Sequence, residues 1–356
     1  MAARDQFDTL APEFAIRING SALPNEAVAD MISINLVEDV DAPSMCTVTL
    51  SGWDTLEMKV KWIDHKLFRE GNPIEIEMGY RDHLKVVFSG EITGLEPDFP
   101  EASPVTFTVR GYDRRHRLMR QRKTHSFLNL KDSDIASQLA RQTGLEPKVE
   151  DSKVKLPYVL QHNQTDLEFL LGRARRIDYE VVVEGRTLLF RHRKIEDKAK
   201  LTLRRDIELL EFRPRMTTMR QVEKFTVRGW NPKEKKEIVA HSTAGDLSTV
   251  MGGTTSGPSN VQKVFSKTGS TLVTVPVQSQ EEADRIAKQR FSEIALGYIR
   301  AEGKCIGDPQ LRAGIVVKIE GIGERFSGPY YLRAVEHRYS IQKGYRTSFS
   351  ARRNAA

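Results

Sequence analysis

The chain has 356 residues, more than one hydrophobic core usually spans, so two or three domains are expected. With 39% hydrophobic and 29% charged residues, the composition is that of a folded, soluble protein and excludes a disordered one. The formal net charge of +7 permits nucleic acid, an anionic membrane or an acidic protein as partner without choosing among them.

Cys46 and Cys305 are the only cysteines; they could pair in principle, but they make no disulfide framework and no CxxC metal site. No run reaches the roughly 18 apolar residues of a membrane span, so no membrane insertion is expected. The opening MAARDQFDTLAPEF has no apolar h-region, which predicts assembly in a reducing cytoplasm without a signal peptide. Release from the cell, if it occurs, would then also proceed without one.

Residues 14–113 read as β-rich. Ile32, Ile34 and Leu36 alternate with Ser33 and Asn35, and Cys46, Val48 and Leu50 alternate with Thr47, Thr49 and Ser51. A period of two puts one face in a core. Asp41-Ala42-Pro43 marks the turn between them. Further strands are expected at 74–79, 84–88, 90–95 and 105–111, which suggests a small barrel or sandwich.

Residues 114–200 differ. A basic run, RRHRLMRQRK, precedes SDIASQLARQTG. The latter predicts a helix capped by Asp132 or Ser133, with Ile135, Ala136, Leu139 and Ala140 buried and Gly144 as the stop. Thr165-Asp166-Leu167-Glu168 is a capping box opening a second helix, with Leu167, Leu170, Leu171 and Ala174 apolar. Residues 179–183, a Glu184-Gly185 turn and 187–190 predict a hairpin.

Strands resume near 201, where 207–212 and 222–229 are expected to pair. Residues 242–260 (STAGDLSTVMGGTTSGPSN) read as a long flexible loop. Ser279-Gln280-Glu281-Glu282 is a capping box for a helix carrying Ala283, Ile286, Ala287 and Ile294. Strands return from about 299 to 352.

Three heptapeptides look alike: VTLSGWD (48–54), FTVRGYD (107–113) and FTVRGWN (225–231). The pair of strands in 32–54 ends in SGWD and the stretch 207–231 ends in RGWN. Downstream, Phe-Ser-Gly occurs at 88–90 and 326–328, and paired arginines close FTVRGYDRR (107–115) and YRTSFSARR (345–353). This ordered recurrence predicts one domain in two copies. The positions that define it are Gly52, Trp53, Phe88, Gly90, Gly111, Tyr112, Gly229, Trp230, Phe326 and Gly328. Gly permits a bend and Asx turns the chain, which is structural chemistry.

The expected fold class is therefore α+β: two similar antiparallel β-barrels, an α+β linking module, and an insertion in the second barrel. The boundaries are 1–115 for the first barrel and 116–200 for the helix-hairpin module. The split second barrel comprises 201–231 and 305–356, and the insertion with its flexible loop and helix is 232–304.

No catalytic, cofactor or metal residue stands out. GGTTSGPS (252–259) has P-loop glycine spacing, but Pro258 occupies the lysine position. There is no GxSxG elbow and no HExxH. The eight histidines (His65, His83, His116, His125, His162, His192, His241, His337) lack ligand spacing. Acidic residues are plentiful, and none is singled out as half of a hydrolytic pair. The basic runs are Arg114, Arg115, Arg117, Arg120, Arg122 and Lys123; Arg173, Arg175 and Arg176; and Arg191, Arg193 and Lys194. They allow phosphate binding or docking to an acidic partner, with nucleic-acid binding through 114–123 as the alternative function. The absence of interleaved stacking aromatics favours a solvated face or inter-subunit salt bridges instead.

Three stretches carry a resemblance: VRGYDRRHRLMR (109–120), YVLQHNQTDLEFLLGRARRIDYEVVVEGRTLLF (158–190) and GDPQLRAGIVVKIEGIGERFSGPYYLRAVEHRYSIQKGYRTSFSARR (307–353). Their order resembles the phage late control D family of tail and baseplate hub proteins. That family is similar to the N-terminal part of the valine-glycine repeat spike proteins of type VI secretion. The resemblance covers nearly the whole chain. It implies two tube domains and a homotrimeric, non-enzymatic hub without cofactor. The implied partners are an inner tube protein, a separate spike protein and other baseplate proteins. The setting would be a phage tail or injection particle.

Overall fold

The structure is a computed structural model; it describes residues 11–356 apart from 82, 194, 196, 197, 232, 233, 266–268, 274–276 and 278. The first ten residues and Lys194 of the third basic run thus lie outside the described residues. The chain divides into two compact units. One holds residues up to His116 together with Lys304–Ala313 and Ala334–Phe349. The other holds Arg117–Gly303, Gly314–Arg333 and Ser350–Ala356.

The first unit begins with β1 (Pro12–Ile18), β2 (Ser21–Ala22), a short helix α1 (Asn25–Ala29), β3 (Met31–Asp39) and β4 (Ala42–Ser51). It continues with β5 (Trp53–Asp54), β6 (Lys59–Val60), β7 (Pro73–Tyr80), β8 (His83–Asp98) and β9 (Thr106–Tyr112). The alternation read from the sequence is realised: Ile34, Leu36, Cys46, Val48, Leu50, Phe107 and Val109 are all buried. The strands expected at 84–88 and 90–95 are one strand, because Ser89 and Gly90 stay paired to Glu75 and Ile74 of β7. Cys46 and Cys305 are both buried and not joined in a disulfide.

The second unit carries a 3-10 turn (Arg114–Met119, of which Arg117 onward belongs here), β10 (Arg122–Lys131), α2 (Asp132–Gln142), β11 (Glu146–Val149) and β12 (Lys155–Thr165). Then come α3 (Asp166–Arg176), β13 (Tyr179–Glu184) and β14 (Thr187–His192). Both predicted helices and the hairpin are present. Ile135, Ala136, Leu139 and Ala140 are buried, as are Leu167, Leu170 and Ala174, while Leu171 is partly buried. The Thr165 hydroxyl accepts from Glu168 N at 3.1 Å and the Glu168 carboxylate accepts from Thr165 N at 2.9 Å. The α2 cap sits one residue earlier than expected, at Lys131, whose N–H donates to Asp134 Oδ2 at 3.0 Å. Asp132 is already inside the first turn, where it pairs with Arg173 at 2.5 Å.

The chain continues through β15 (Leu201–Arg204), β16 (Leu209–Met216), β17 (Lys224–Asn231), β18 (Lys236–Thr243), α4 (Gly257–Phe265), β19 (Gly269–Leu272) and α5 (Gln280–Leu296). It ends with β20 (Ile299–Ile306), β21 (Val316–Glu320), β22 (Gly328–Ser340) and β23 (Gly344–Arg353). The expected pairing of 207–212 with 222–229 does not form. β17 lies in a separate three-stranded sheet, antiparallel to β18 and parallel to β19. Its Phe225 and Val227 share a core with Ile286, Ala287 and Phe291 of α5. β16 is instead a neighbour of β20.

The 242–260 segment also differs from expectation. Asn354 Oδ1 accepts from Met251 N at 2.9 Å, and Asn354 Nδ2 donates to Thr249 O at 2.8 Å. Gly257 N donates to Asn354 O at 2.9 Å, and Ser256 bridges Ala355. Chain a hundred residues away supplies the backbone partners that a Ser/Thr/Gly-rich loop cannot give itself.

One order of strands occurs twice. β3-β4-β9-β8-β7 is one run of neighbours and β16-β20-β23-β22-β21 is another. Numbered along the chain, each run has spatial order 1-2-5-4-3. The counterpart of β4, which ends in SGWD, is therefore β20 and not β17. FTVRGWN, with Gly229 and Trp230, belongs to residues 217–298, which intervene between β16 and β20. Neither run closes into a barrel by hydrogen bonding among the described residues. The first unit does roll up, since Phe14 of β1 lies 4.9 Å from Tyr339 of β22, and Tyr80 of β7 lies 6.0 Å from Tyr345 of β23, between ring centroids.

Candidate functional site

Most of the basic run 114–123 pairs with groups of the chain itself. Arg114 Nε donates to Glu91 at 3.0 Å. Arg115 is buried and donates to Asp113 at 2.8 Å and to Ser44 Oγ at 3.2 Å. Arg117 reaches Thr143 O at 3.5 Å. Arg122 donates to Glu168 at 2.7 Å, and Lys123 donates to Asp166 at 2.7 Å. Arg120 is exposed. Farther on, Arg176 pairs with Glu282 at 2.7 Å and Arg191 with Glu180 at 2.8 Å. Each of these pairs uses charge that an anionic ligand would need.

The repeated Phe-Ser-Gly has a packing cause. A Cβ on Gly90 would collide with the carbonyl oxygen of Tyr112, at the end of β9, and would lie 2.7 Å from the Phe88 ring. A Cβ on Gly328 would lie 2.8 Å from the Arg353 guanidinium carbon, at the end of β23, and Gly328 has φ +137°. Each glycine lets the closing strand of its copy pass at contact distance. Gly111 does the same for Cys46 Sγ at 2.8 Å, and Gly52 for Val105 at 2.9 Å. Trp53 is half-buried and Trp230 is exposed.

The two arginine pairs differ in their second members. Arg115 has a carboxylate. Arg353 is 1% exposed and donates to backbone carbonyls: Met251 at 2.9 Å, Gly252 at 3.1 Å and Ser327 at 2.8 Å. It also lies 5.6 Å from the centre of the Tyr330 ring.

Sequence reasoning passed over a buried polar cluster in the first unit. His337 is fully buried; its Nε2 lies 2.9 Å from Leu311 O, and its Nδ1 lies 2.8 Å from the Tyr345 hydroxyl and 3.2 Å from Thr347 Oγ1. A carbonyl only accepts, so Nε2 carries the proton and Nδ1 accepts. Burial pushes the imidazole down to about 4, with Glu38 opposing that shift and Arg312 adding to it. No spacing rule marks this histidine of β22, because its partners arrive from two other elements, the loop at Leu311 and strand β23.

The same unit presents a polar sheet face. Thr47 and Thr49 of β4, Thr108 and Arg110 of β9, and Ser348 and Arg346 of β23 alternate with buried neighbours. At one end is an open groove of about 520 Å³, lined by residues that include Lys304, Glu336, Arg338, Lys343 and Arg346. Arg338 donates to Glu336 at 2.8 Å. Among the described residues, no three His, Cys, Asp or Glu side chains are grouped to hold a metal ion.

Comparison with known proteins places the fold. No curated protein matches the sequence. The 43 kDa tail protein of prophage MuSo2 from Shewanella oneidensis is similar at 14% identity and a TM-score of 0.71, over 96% of this chain and 98% of that one. A tail protein from Neisseria meningitidis is similar at 12% identity and a TM-score of 0.67, over 96% of each chain. A type VI secretion component from E. coli is similar at 14% identity and a TM-score of 0.61, over 96% of this chain and 77% of that one. The fold is thus that of phage tail proteins. The family model that matches is not late control D; it is described as the Alg8 N-terminal domain, and it spans residues 8–340. The chain belongs to the Alg8 N-terminal domain family.

Proposed function

We propose that the chain is a structural hub of a phage tail or contractile injection particle, a trimeric adaptor between a hexameric inner tube and a trimeric spike. The observation that carries this reading is the five-strand order 1-2-5-4-3 occurring twice. Two similar tube-like domains per chain, in a three-fold ring, give six quasi-equivalent positions on one face. The other face keeps three-fold symmetry. A duplicated domain thereby resolves a symmetry mismatch that a single domain cannot. The similarity to tail proteins supports the reading, as does the E. coli protein, described as resembling the T4 tail proteins gp27 and gp5.

On this reading the hub nucleates the tube, carries a separate spike and contacts other baseplate proteins. It is not an enzyme and needs no cofactor. Its site of action is the assembled particle. The internal partners of Arg114, Arg115 and Lys123 argue against nucleic acid as a specific ligand. Among the described residues no helix is long and apolar enough to cross a membrane. Mass photometry of the purified chain tests the reading. A mass of three chains is expected, and a monomer persisting with the cognate spike would overturn it.

A further inference from the structure

The β8–β9 connection and the basic groove are complementary. Asp98 ends β8 and the connection, residues 99–105, carries Phe99, Pro100 and Glu101; Asp98, Phe99 and Glu101 are exposed, Phe99 at 61%. An aromatic flanked by carboxylates and held out in water is the composition of an interface anchor. The groove offers the opposite charge: Lys304, Arg338, Lys343 and Arg346 against the one carboxylate of Glu336. Glu336 is already taken by Arg338. Lys343 is exposed at the tip of the β22–β23 hairpin, beside Gly344 with φ +63°.

Register fixes where these features lie. Ser340 of β22 pairs with Ser33 of β3, Ser33 with Thr49 of β4, and Thr49 with Thr108 of β9. The β22–β23 hairpin and the β8–β9 connection therefore emerge at the same end of the sheet. Three strand spacings separate β22 from β9, about 14 Å along the sheet. Asp98 is anchored opposite Thr106, so the connection cannot swing into its own groove. A neighbouring copy turned about an axis can present its connection to that groove. Such a contact is head-to-tail, and it closes into a ring when the rotation permits.

We propose that residues 98–101 of one copy seat in the basic groove of the next copy, with Phe99 as the anchor and Asp98 and Glu101 facing Lys343 and Arg346. The inference rests on the trimeric reading and names the surface that closes the ring. The test uses three variants of the full chain, weighed by mass photometry at several salt concentrations: D98K/E101K, K343E/R346E, and the quadruple variant combining them. Each double reversal should weaken assembly at least tenfold, and the quadruple variant should restore it while showing that the altered surfaces fold. Assembly of both doubles at wild-type strength would overturn this contact and leave the trimer standing. Loss in the doubles without recovery in the quadruple would also overturn it. A wild-type chain that never assembles would overturn the trimer reading itself, and this contact with it.

Discussion

Arg312 holds Glu38 across 274 residues of sequence: its Nε donates to Glu38 Oε1 at 2.8 Å, and a second guanidinium nitrogen donates to the same oxygen. Ala313 N donates to the other carboxylate oxygen at 3.1 Å. Glu38 is 7% exposed, so its charge depends on these donors. Replacing Arg312 by Ala strands a buried carboxylate. The expected cost is about 2–4 kcal/mol, read as a lower urea midpoint for Arg312→Ala. Arg338→Ala, which removes an exposed pair with Glu336, should cost under about 1 kcal/mol.

His337 predicts an acid-side loss of stability. Its folded-state value is about 4, against an ordinary 6.5, because burial disfavours the charged ring. Above pH 6.5 the ring is neutral whether the chain is folded or not, and the full stability is present. As pH falls from 6.5 to 4 the unfolded chain takes up a proton that the folded one refuses. Stability falls through that window by about 3 kcal/mol and then levels for this group. Denaturation midpoints at pH 4 to 7 check this. His337→Gln should be less stable at pH 7 and should lose that slope.

The glycine pair gives a contrast with an internal control. Gly90→Ala and Gly328→Ala place a methyl against Tyr112 and Arg353 and should each cost about 2–4 kcal/mol. Gly172, within α3, has nothing within 4 Å of a Cβ, so Gly172→Ala should stabilise by about 1 kcal/mol. Thermal melts of the three variants check the ordering.

Arg353→Ala removes the donors to Met251, Gly252 and Ser327 carbonyls and should release the 249–257 segment. Limited proteolysis should then cut within 242–256 at least tenfold faster than in the wild type. Arg353→Lys keeps the charge without the planar fork and should fall between the two.

What could be read from the sequence was what short-range chemistry decides. The Thr165–Glu168 box, the Ile135–Leu139 stripe and the 179–192 hairpin depend on neighbours within a turn or two. The recurrence of Phe-Ser-Gly and of the arginine pair falls at the fourth and fifth strands of the two runs that share one strand order, and both glycines meet the fifth strand of their run. Strand partnership was not legible. VTLSGWD and FTVRGWN share a pattern that specifies a half-buried strand ending in a bend, and that pattern fits β17 against α5 as well as β4 against β9. The 242–260 segment misled for a related reason, since its order comes from Arg353 and Asn354. Among the candidate contacts, the 114–123 run was visible as charge, while its carboxylate partners Glu91, Asp166 and Glu168 were visible only as separate acidic residues.

On the proposed function, the repeated strand order serves a three-fold ring with six quasi-equivalent positions. Single-particle class averages of the purified chain, alone and with its cognate spike, test it most directly. A three-fold ring with six lobes around a pore is expected. Monomers under both conditions, or a ring with any other symmetry, would contradict it.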